Sequence, residues 1–334
     1  MKAVFMSQRE SSLSLVYPEY IRNRISAHVD ICGTLTSFTP QALAEAKSLL
    51  RETDFIFSTW GMPRFERSFI AENMPNLKAV FYGAGTVQDF AREFLDESRL
   101  VISAWGANAV PVAEFTVAQI ILAAKGYFQR FKHTSENSWS NRGDGGYFRG
   151  SYNTKIGLIG AGMIGKLVIK MLKSYKIDVY VFDPFLSDAD AESLGVTKTT
   201  LEYIFSECAV ISNHLANNAQ TVGMLNGDLF SKMGDNAAFI NTGRGAQVVE
   251  DDLCRAMREK PNRIALLDVT YPEPPEEGSE LYRLPNIFLS PHIAGSFGAE
   301  VERMGEFMYD EMCRYLAGEP LLYSVSLEML KTMA

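Results

Sequence analysis

Residues 155–183 read KIGLIGAGMIGKLVIKMLKSYKIDVYVFD, and the fold is decided there. An apolar run over 156–159 leads into Gly160-Ala161-Gly162-Met163-Ile164-Gly165. Beyond it Ile164, Leu167, Val168, Met171, Leu172 and Tyr175 recur at helical spacing, with Lys166, Lys170 and Lys173 on the other face. A second apolar run over 177–182 ends on Asp183. Strand, glycine turn, helix, strand, acid is the order that a dinucleotide site requires. Gly160 permits the tight turn, Gly162 admits a pyrophosphate to the backbone, and Gly165 lets the helix lie close to the strand. The first-turn amides, at Met163 and Ile164, present unpaired donors and the positive end of the helix dipole. Asp183 is placed to accept from adenosine ribose hydroxyls. Its charge would repel a 2′-phosphate, and Pro184-Phe185-Leu186 supplies no Arg to reverse that, so NAD is expected over NADP. An isolated glycine pattern would be weak evidence, because an ordinary βαβ turn can show it.

The chain has 334 residues, enough for about two domains. Apolar residues make up 47% and charged residues 22%, the balance of a globular protein. A net charge of −8 gives no broad basic footprint for nucleic acid. Cys32, Cys208, Cys254 and Cys313 form no C-x-x-C pair, so neither a disulfide framework nor a metal site is expected. Only four apolar residues follow Lys2 before Ser7, too few for a secretory leader. The longest apolar stretch, 110–124, carries Glu114 and reads as too short for a membrane span. A cytoplasmic location, with no membrane partner, is the expectation.

Strand signals recur at 156–159, 179–182, 209–213, 238–241, 264–268 and 287–290, with helical patterns between most of them, as at 247–259. These predict a doubly wound α/β Rossmann domain with ligands bound beyond the carboxyl ends of its parallel strands. Asp183, Asn213-His214, residues 241–244, Asp268 and His292 all fall at or just past such ends. A second alternating set fills the first hundred residues. Strands are expected at 3–6, 55–59, 79–82 and 100–103, and helices near 18–27, 40–51 and 87–94. They predict a smaller, flavodoxin-like α/β substrate domain. A helix over 110–125 follows, with Pro111 in its first turn. Residues 126–152 read as an extended excursion whose aromatics, Trp139 among them, need burial within the domain or against another subunit. A last helix over 299–316 stops at Gly318 and is expected to rejoin the first domain. The predicted division is 1–107 completed by 297–334, and 108–296, with the active site in the cleft between the two.

Three further segments carry polar chemistry: Asn241-Thr242-Gly243-Arg244-Gly245, Asp268 to Pro274, and Ser290-Pro291-His292-Ile293-Ala294-Gly295. Taken singly, Arg244 reads as a surface cation, Glu273 as a loop charge and His292 as a structural histidine. Together NTGRG, DVTYPEP and SPHIAG, behind GAGMIG and FDP, resemble the NAD-dependent D-isomer-specific 2-hydroxyacid dehydrogenases, the family of phosphoglycerate-dehydrogenase-like proteins. VAEFTVAQIILA over 112–123 fits the same resemblance, which is strong from about 108 to 295.

That resemblance implies a catalytic trio of Arg244, Glu273 and His292. Arg244 would clamp a substrate carboxylate, His292 would donate or accept the proton of the reacting oxygen, and Glu273 would hold the imidazole. It also implies Asp268, Thr242, Gly243 and Gly295 near the cofactor, with Arg244 and His292 facing it, and His214 shaping the same pocket. On the substrate side, family members carry a glycine turn followed by Asp-Asn. Here Gly83-Ala84-Gly85-Thr86 keeps the turn, but Val87-Gln88 follow, and Tyr82 stands where Arg is common. Substrate contacts are therefore expected at Ala84, Gly85 and Thr86, with Trp60 a further candidate. The implied activity is hydride transfer between NAD and a D-2-hydroxy acid or its 2-oxo acid, in a homodimer. The departures around 82–88 argue against the family's usual small substrates, and a Trp60 facing the substrate would suit a larger or polyhydroxylated acid. The alternative is an NAD(H)-sensing, corepressor-like scaffold of the same fold.

Overall fold

The structure is a computed structural model and describes residues 1–137 and 147–331. The chain divides into an amino-terminal unit, Met1–Asn108 with Ser296–Ala334, and a central unit, Ala109–Gly295.

The amino-terminal unit is built on five parallel strands: β1 Lys2–Met6, β2 Asp30–Leu35, β3 Phe55–Ser58, β4 Ala79–Tyr82 and β5 Leu100–Ser103. Their order, β2-β1-β3-β4-β5, is the flavodoxin-like winding. Strand alternation sends Phe5, Phe57 and Phe81 to one face, where Met304, Met308 and Met312 of the helix Val301–Ala317 cover them. Val4, Ile56 and Val80 face the other layer with Leu50, Ile70 and Phe94. Each such buried aliphatic contributes about 1.5–3 kcal/mol. The strand β2 escapes the sequence pattern because it is an edge strand, half-exposed along its length and interrupted by Gly33. The expected helix over 40–51 breaks at Ala46 into Pro40–Glu45 and Lys47–Glu52, and that over 87–94 is shifted to Ala91–Asp96. Helices Glu10–Val16 and Arg67–Asn73 had no counterpart in the sequence reading; both are short.

The central unit holds seven parallel strands. They are β6 Tyr152–Ile159, β7 Lys176–Phe182, β8 Thr197–Lys198, β9 Val210–Asn213, β10 Ala238–Asn241, β11 Ile264–Leu267 and β12 Ile287–Leu289. Their order is β12-β11-β10-β9-β6-β7-β8, so the winding reverses between β6 and β9. Ligands of doubly wound sheets bind at that switch point, outside the carboxyl ends. Two buried layers enclose the sheet, one with Phe205, Phe230 and Phe239, the other with Ile156, Leu158, Val168 and Ile240. The two-residue β8 is too short to show periodicity.

Three expectations need correcting. The helix predicted from residue 110 begins at Trp105 and runs to Ala124, leaving Pro111 in its interior. Tertiary packing outweighs the missing N–H: Ala107, Ala113 and Ile120 are fully buried. At 20 residues this helix is long and apolar enough to cross a bilayer, contrary to the reading of its sequence, yet 56% of its apolar window is buried inside the protein. The supposed excursion after Gly126 starts instead as a helix, Tyr127–Asn137. Trp139 lies outside the described residues.

Candidate active site

The switch point of the central unit is lined by backbone. Gly160 follows β6 at φ +98, where its N–H donates to the Phe182 carbonyl (2.8 Å). A Cβ there would lie 2.8 Å from the His214 carbonyl oxygen, and one at Gly165 would lie 2.2 Å from that of Gly160. Neither backbone oxygen can give way, so both positions require glycine. Gly162 differs, because a Cβ on it would meet nothing within 4 Å. It caps the helix Met163–Leu172 with no side chain, and the first amide drawn back into the helix is that of Lys166, 2.9 Å from the Gly162 carbonyl. The amides of Met163, Ile164 and Gly165 are left for an anion. Open space over Gly162 and free donors beneath it fit a pyrophosphate.

Asp183 closes the turn from β7. Its two oxygens accept from Ala161 N (2.7 Å) and Phe185 N (2.8 Å). Each oxygen keeps a lone pair for a ribose hydroxyl. Just past the neighbouring strand β9, His214 is 8% exposed, and its Nε2 lies 3.0 Å from the Ser212 hydroxyl while Nδ1 is buried without a partner among the described residues. Burial pushes the pKa of this imidazole down to about 4, so it is neutral at physiological pH.

Arg244 follows β10 in extended backbone, with Nη1 donating to the Gly243 carbonyl (2.8 Å). Burial lowers the pKa of its guanidinium, and the Glu273 carboxylate opposes that shift. Thr242 is buried, its hydroxyl 3.0 Å from that of Thr116. A Cβ at Gly245 would fall 2.0 Å from the Thr270 carbonyl carbon, so the Arg244 turn lies directly against the segment after β11.

That segment carries Glu273. Tyr271 N donates to the Glu250 carboxylate (2.8 Å), and the Thr270 hydroxyl to the Pro272 carbonyl (2.9 Å). Glu273 Oε1 then meets His292 Nδ1 at 2.6 Å, with both side chains about half-exposed. His292 sits at φ +54, unusual for a residue with a Cβ. Asp268 holds it there. The Asp268 carboxylate, 3% exposed, accepts from the Ser290 hydroxyl (2.6 Å), Ile293 N (2.9 Å) and Ala294 N (2.8 Å), and its carbonyl accepts from His292 N (3.0 Å). Sequence reasoning assigned Asp268 to the cofactor and overlooked Ser290. The side-chain hydrogen bonds of Asp268 all go to the loop that bears the histidine, while its amide donates to the Asn241 carbonyl (3.0 Å) on β10. Gly295 ends that loop and the central unit.

Within the amino-terminal unit, the turn after β4 has a different build. The Ala84 amide turns back to the Tyr82 carbonyl (2.9 Å), and the Ser103 hydroxyl donates to the Ala84 and Gly85 carbonyls (2.9 and 2.5 Å). The amides of Gly85 and Thr86 have no partner among the described residues. Where Asp-Asn is usual, Val87 is fully buried and Gln88 donates to the Leu330 carbonyl (2.7 Å). Tyr82 is buried against Phe90 (ring centroids 4.9 Å), and burial pushes its phenol up to about 12. Trp60 packs on both cores of its unit, and its carbonyl accepts from Ser7 Oγ (2.7 Å).

Comparison with known proteins places this geometry. Residues 117–294 match the family described as D-isomer specific 2-hydroxyacid dehydrogenase, NAD binding domain. A D-3-phosphoglycerate dehydrogenase of Archaeoglobus fulgidus is 30% identical over 229 residues, which are 68% of this chain and 43% of that protein. One from Synechocystis is 29% identical over 199 residues, 59% of this chain and 35% of the relative. The chain thus spans less than half the length of these two relatives. Among solved structures, a phosphoglycerate oxidoreductase from Rhizobium etli superposes with a TM-score of 0.80 at 22% identity, covering 98% of this chain and 99% of that one. A D-lactate dehydrogenase with NAD+ from Lactobacillus jensenii gives 0.77 at 19% identity, covering 98% and 100%. At these identities the two structures establish a shared fold.

Proposed function

The chain belongs to the D-isomer specific 2-hydroxyacid dehydrogenase family, with NAD as cofactor, and we propose that it interconverts a D-2-hydroxy acid and its 2-oxo acid. The contact that carries this reading is His292 Nδ1 to Glu273 Oε1 at 2.6 Å, on a loop that also answers to Asp268. Bound NAD supplies the hydride acceptor for the hydroxy acid, or as NADH the donor for the oxo acid. The remaining work falls to side chains. With Nδ1 committed to a carboxylate, the proton that His292 can exchange with substrate is the one on Nε2. Glu273 fixes the ring plane and compensates the charge of the protonated imidazole. Arg244, largely dehydrated, is the planar donor for the substrate carboxylate, and its charge meets the negative charge that grows on the carbonyl oxygen. We assign the free amides of Gly85 and Thr86 to the substrate as well, with Ala84 contributing shape, since its amide is already bonded. Trp60, held in two cores, contributes at most an edge.

A homodimer is part of the proposal. Leu122 and Tyr127 stand 40% and 46% exposed on consecutive helices, an apolar surface suited to a second copy. Sedimentation should report a dimer, and Leu122→Glu should yield monomers. The activity test is NADH mixed with a panel of 2-oxo acids. Steady loss of NADH absorbance with at least one of them is expected. Tight NADH binding that alters self-association, with no turnover across the panel, would instead favour the scaffold reading.

A further inference from the structure

Arg244 is held by a buried set of amide side chains that the catalytic reading does not use. Asn213, Asn241 and Gln247 are 0%, 1% and 0% exposed. Asn213 Nδ2 donates to Asn241 Oδ1 (3.0 Å) and to Gln247 Oε1 (2.6 Å). Asn241 Nδ2 donates to the Arg244 carbonyl (3.2 Å), and Asn241 Oδ1 accepts from Gly243 N (3.1 Å). Gln247 Oε1 also accepts from Arg244 N (3.3 Å), while its Nε2 donates to the Leu215 and Ala216 carbonyls (2.9 and 3.0 Å). Gln247 thereby makes all four hydrogen bonds open to a primary amide. The peptide groups on both sides of the Arg244 Cα are gripped, one at N–H and the other at C=O.

The arrangement is specific in a way that ordinary turn packing is not. Beyond β10 the turn Gly245–Gln247 is tied to residues 223 and 225, whose amides donate to the Ala246 and Gln247 carbonyls, but those bonds do not reach the peptide groups of Arg244. Burying three amides is costly unless each is paired, and here they pair with one another and with the backbone on either side of the arginine. Gln247 reaches across to residues 215–216, beyond β9, so the carboxyl ends of two neighbouring strands are tied at the point where Arg244 leaves the sheet.

We propose that Gln247, supported by Asn213, is a positioning residue: it sets the direction of the Arg244 guanidinium and so acts on substrate capture without touching substrate. This rests on Arg244 gripping the substrate carboxylate, and the test separates the two. Arg244→Ala, Gln247→Met and the double variant are assayed for oxo-acid reduction, NADH affinity and thermal unfolding. If Gln247 acts through Arg244, Gln247→Met raises KM for the oxo acid about tenfold or more, with a smaller change in kcat and NADH affinity within about twofold. The double variant is then no slower than Arg244→Ala, because residues acting as one unit are not additive. Gln247→Glu, which keeps the acceptor facing Arg244 N, recovers part of the loss and stands in if the Met variant does not fold. A double variant slower than Arg244→Ala by the full Gln247 factor, or NADH affinity falling in step with turnover, overturns the positioning role. A normal kcat/KM in Arg244→Ala sinks the assignment of the arginine itself, whatever Gln247 does.

Discussion

Two strand-end loops of the central unit make an instructive pair. The turn after β6 is made of backbone: its donors are the amides of residues 163–165, and its side chains matter chiefly by being absent. The loop after β12 is made of side chains: His292 is held at φ +54 by three donors to one carboxylate and is aimed by a second carboxylate. A backbone site tolerates chemical change and is ruined by volume. A side-chain site tolerates small changes of volume and is ruined by loss of a single polar atom. The two should therefore fail separately.

The largest separation is expected for His292→Gln, which keeps a polar side chain but removes the transferable proton. Turnover should fall about a thousandfold, the range for loss of a general acid–base group, while NADH affinity stays within about twofold. A parallel loss of affinity in titrations of nicotinamide fluorescence would dissolve the distinction. Asp183→Ala comes next. It deletes a carboxylate that braces Ala161 and Phe185 and leaves no repulsion toward a 2′-phosphate. NADH should bind about tenfold to a hundredfold more weakly, the value of hydrogen bonds to a charged group, and NADPH should lose much less.

The glycine turn supplies an internal contrast. Gly165→Ala drives a Cβ into the Gly160 carbonyl and should cost about 3 kcal/mol in urea unfolding. Gly162→Ala meets empty space, so unfolding should be unchanged while NADH affinity drops. If both variants lost only stability, the space over Gly162 would have no ligand to admit.

A smaller effect belongs to His214 on β9's edge of the turn. Its pKa is depressed in the folded state, to about 4, against about 6.5 unfolded. The unfolded chain therefore takes up a proton that the folded one refuses. Stability is intact above pH 6.5 and is lost as pH falls toward 4, by about 2 kcal/mol between pH 7 and 5. His214→Asn should flatten that slope, as unfolding titrations at the two pH values would show.

What could be read in the sequence follows the same division. The backbone site was legible because its demands are periodic: a run of apolar residues, glycines at fixed offsets, then an acid on the next strand. Residues such as Arg244, Glu273 and His292 could be picked out only as motifs, since nothing local to residue 273 says that it will meet residue 292. The Asp268 carboxylate shows the limit. Its position at a strand end was clear, but its partners lie 22 to 26 residues further along, and only the fold reveals them. Gln247 left no signal of its own: it stood at the start of the helical pattern 247–259, whereas the helix begins at Glu250 and Gln247 lies buried in the turn before it. Edge strand β2 was missed for the complementary reason that its exposed flank erases the apolar pattern, and β8 because two residues show no period.

Isotope transfer tests the account most directly. NADH deuterated at the transferring carbon is incubated with an oxo acid that the wild-type protein consumes, and the product is read by NMR. Deuterium should sit on C2 of a single-enantiomer hydroxy acid, and His292→Gln should form almost none of it. Product without deuterium at C2, or equal labelling by the variant, would contradict hydride delivery coupled to this histidine.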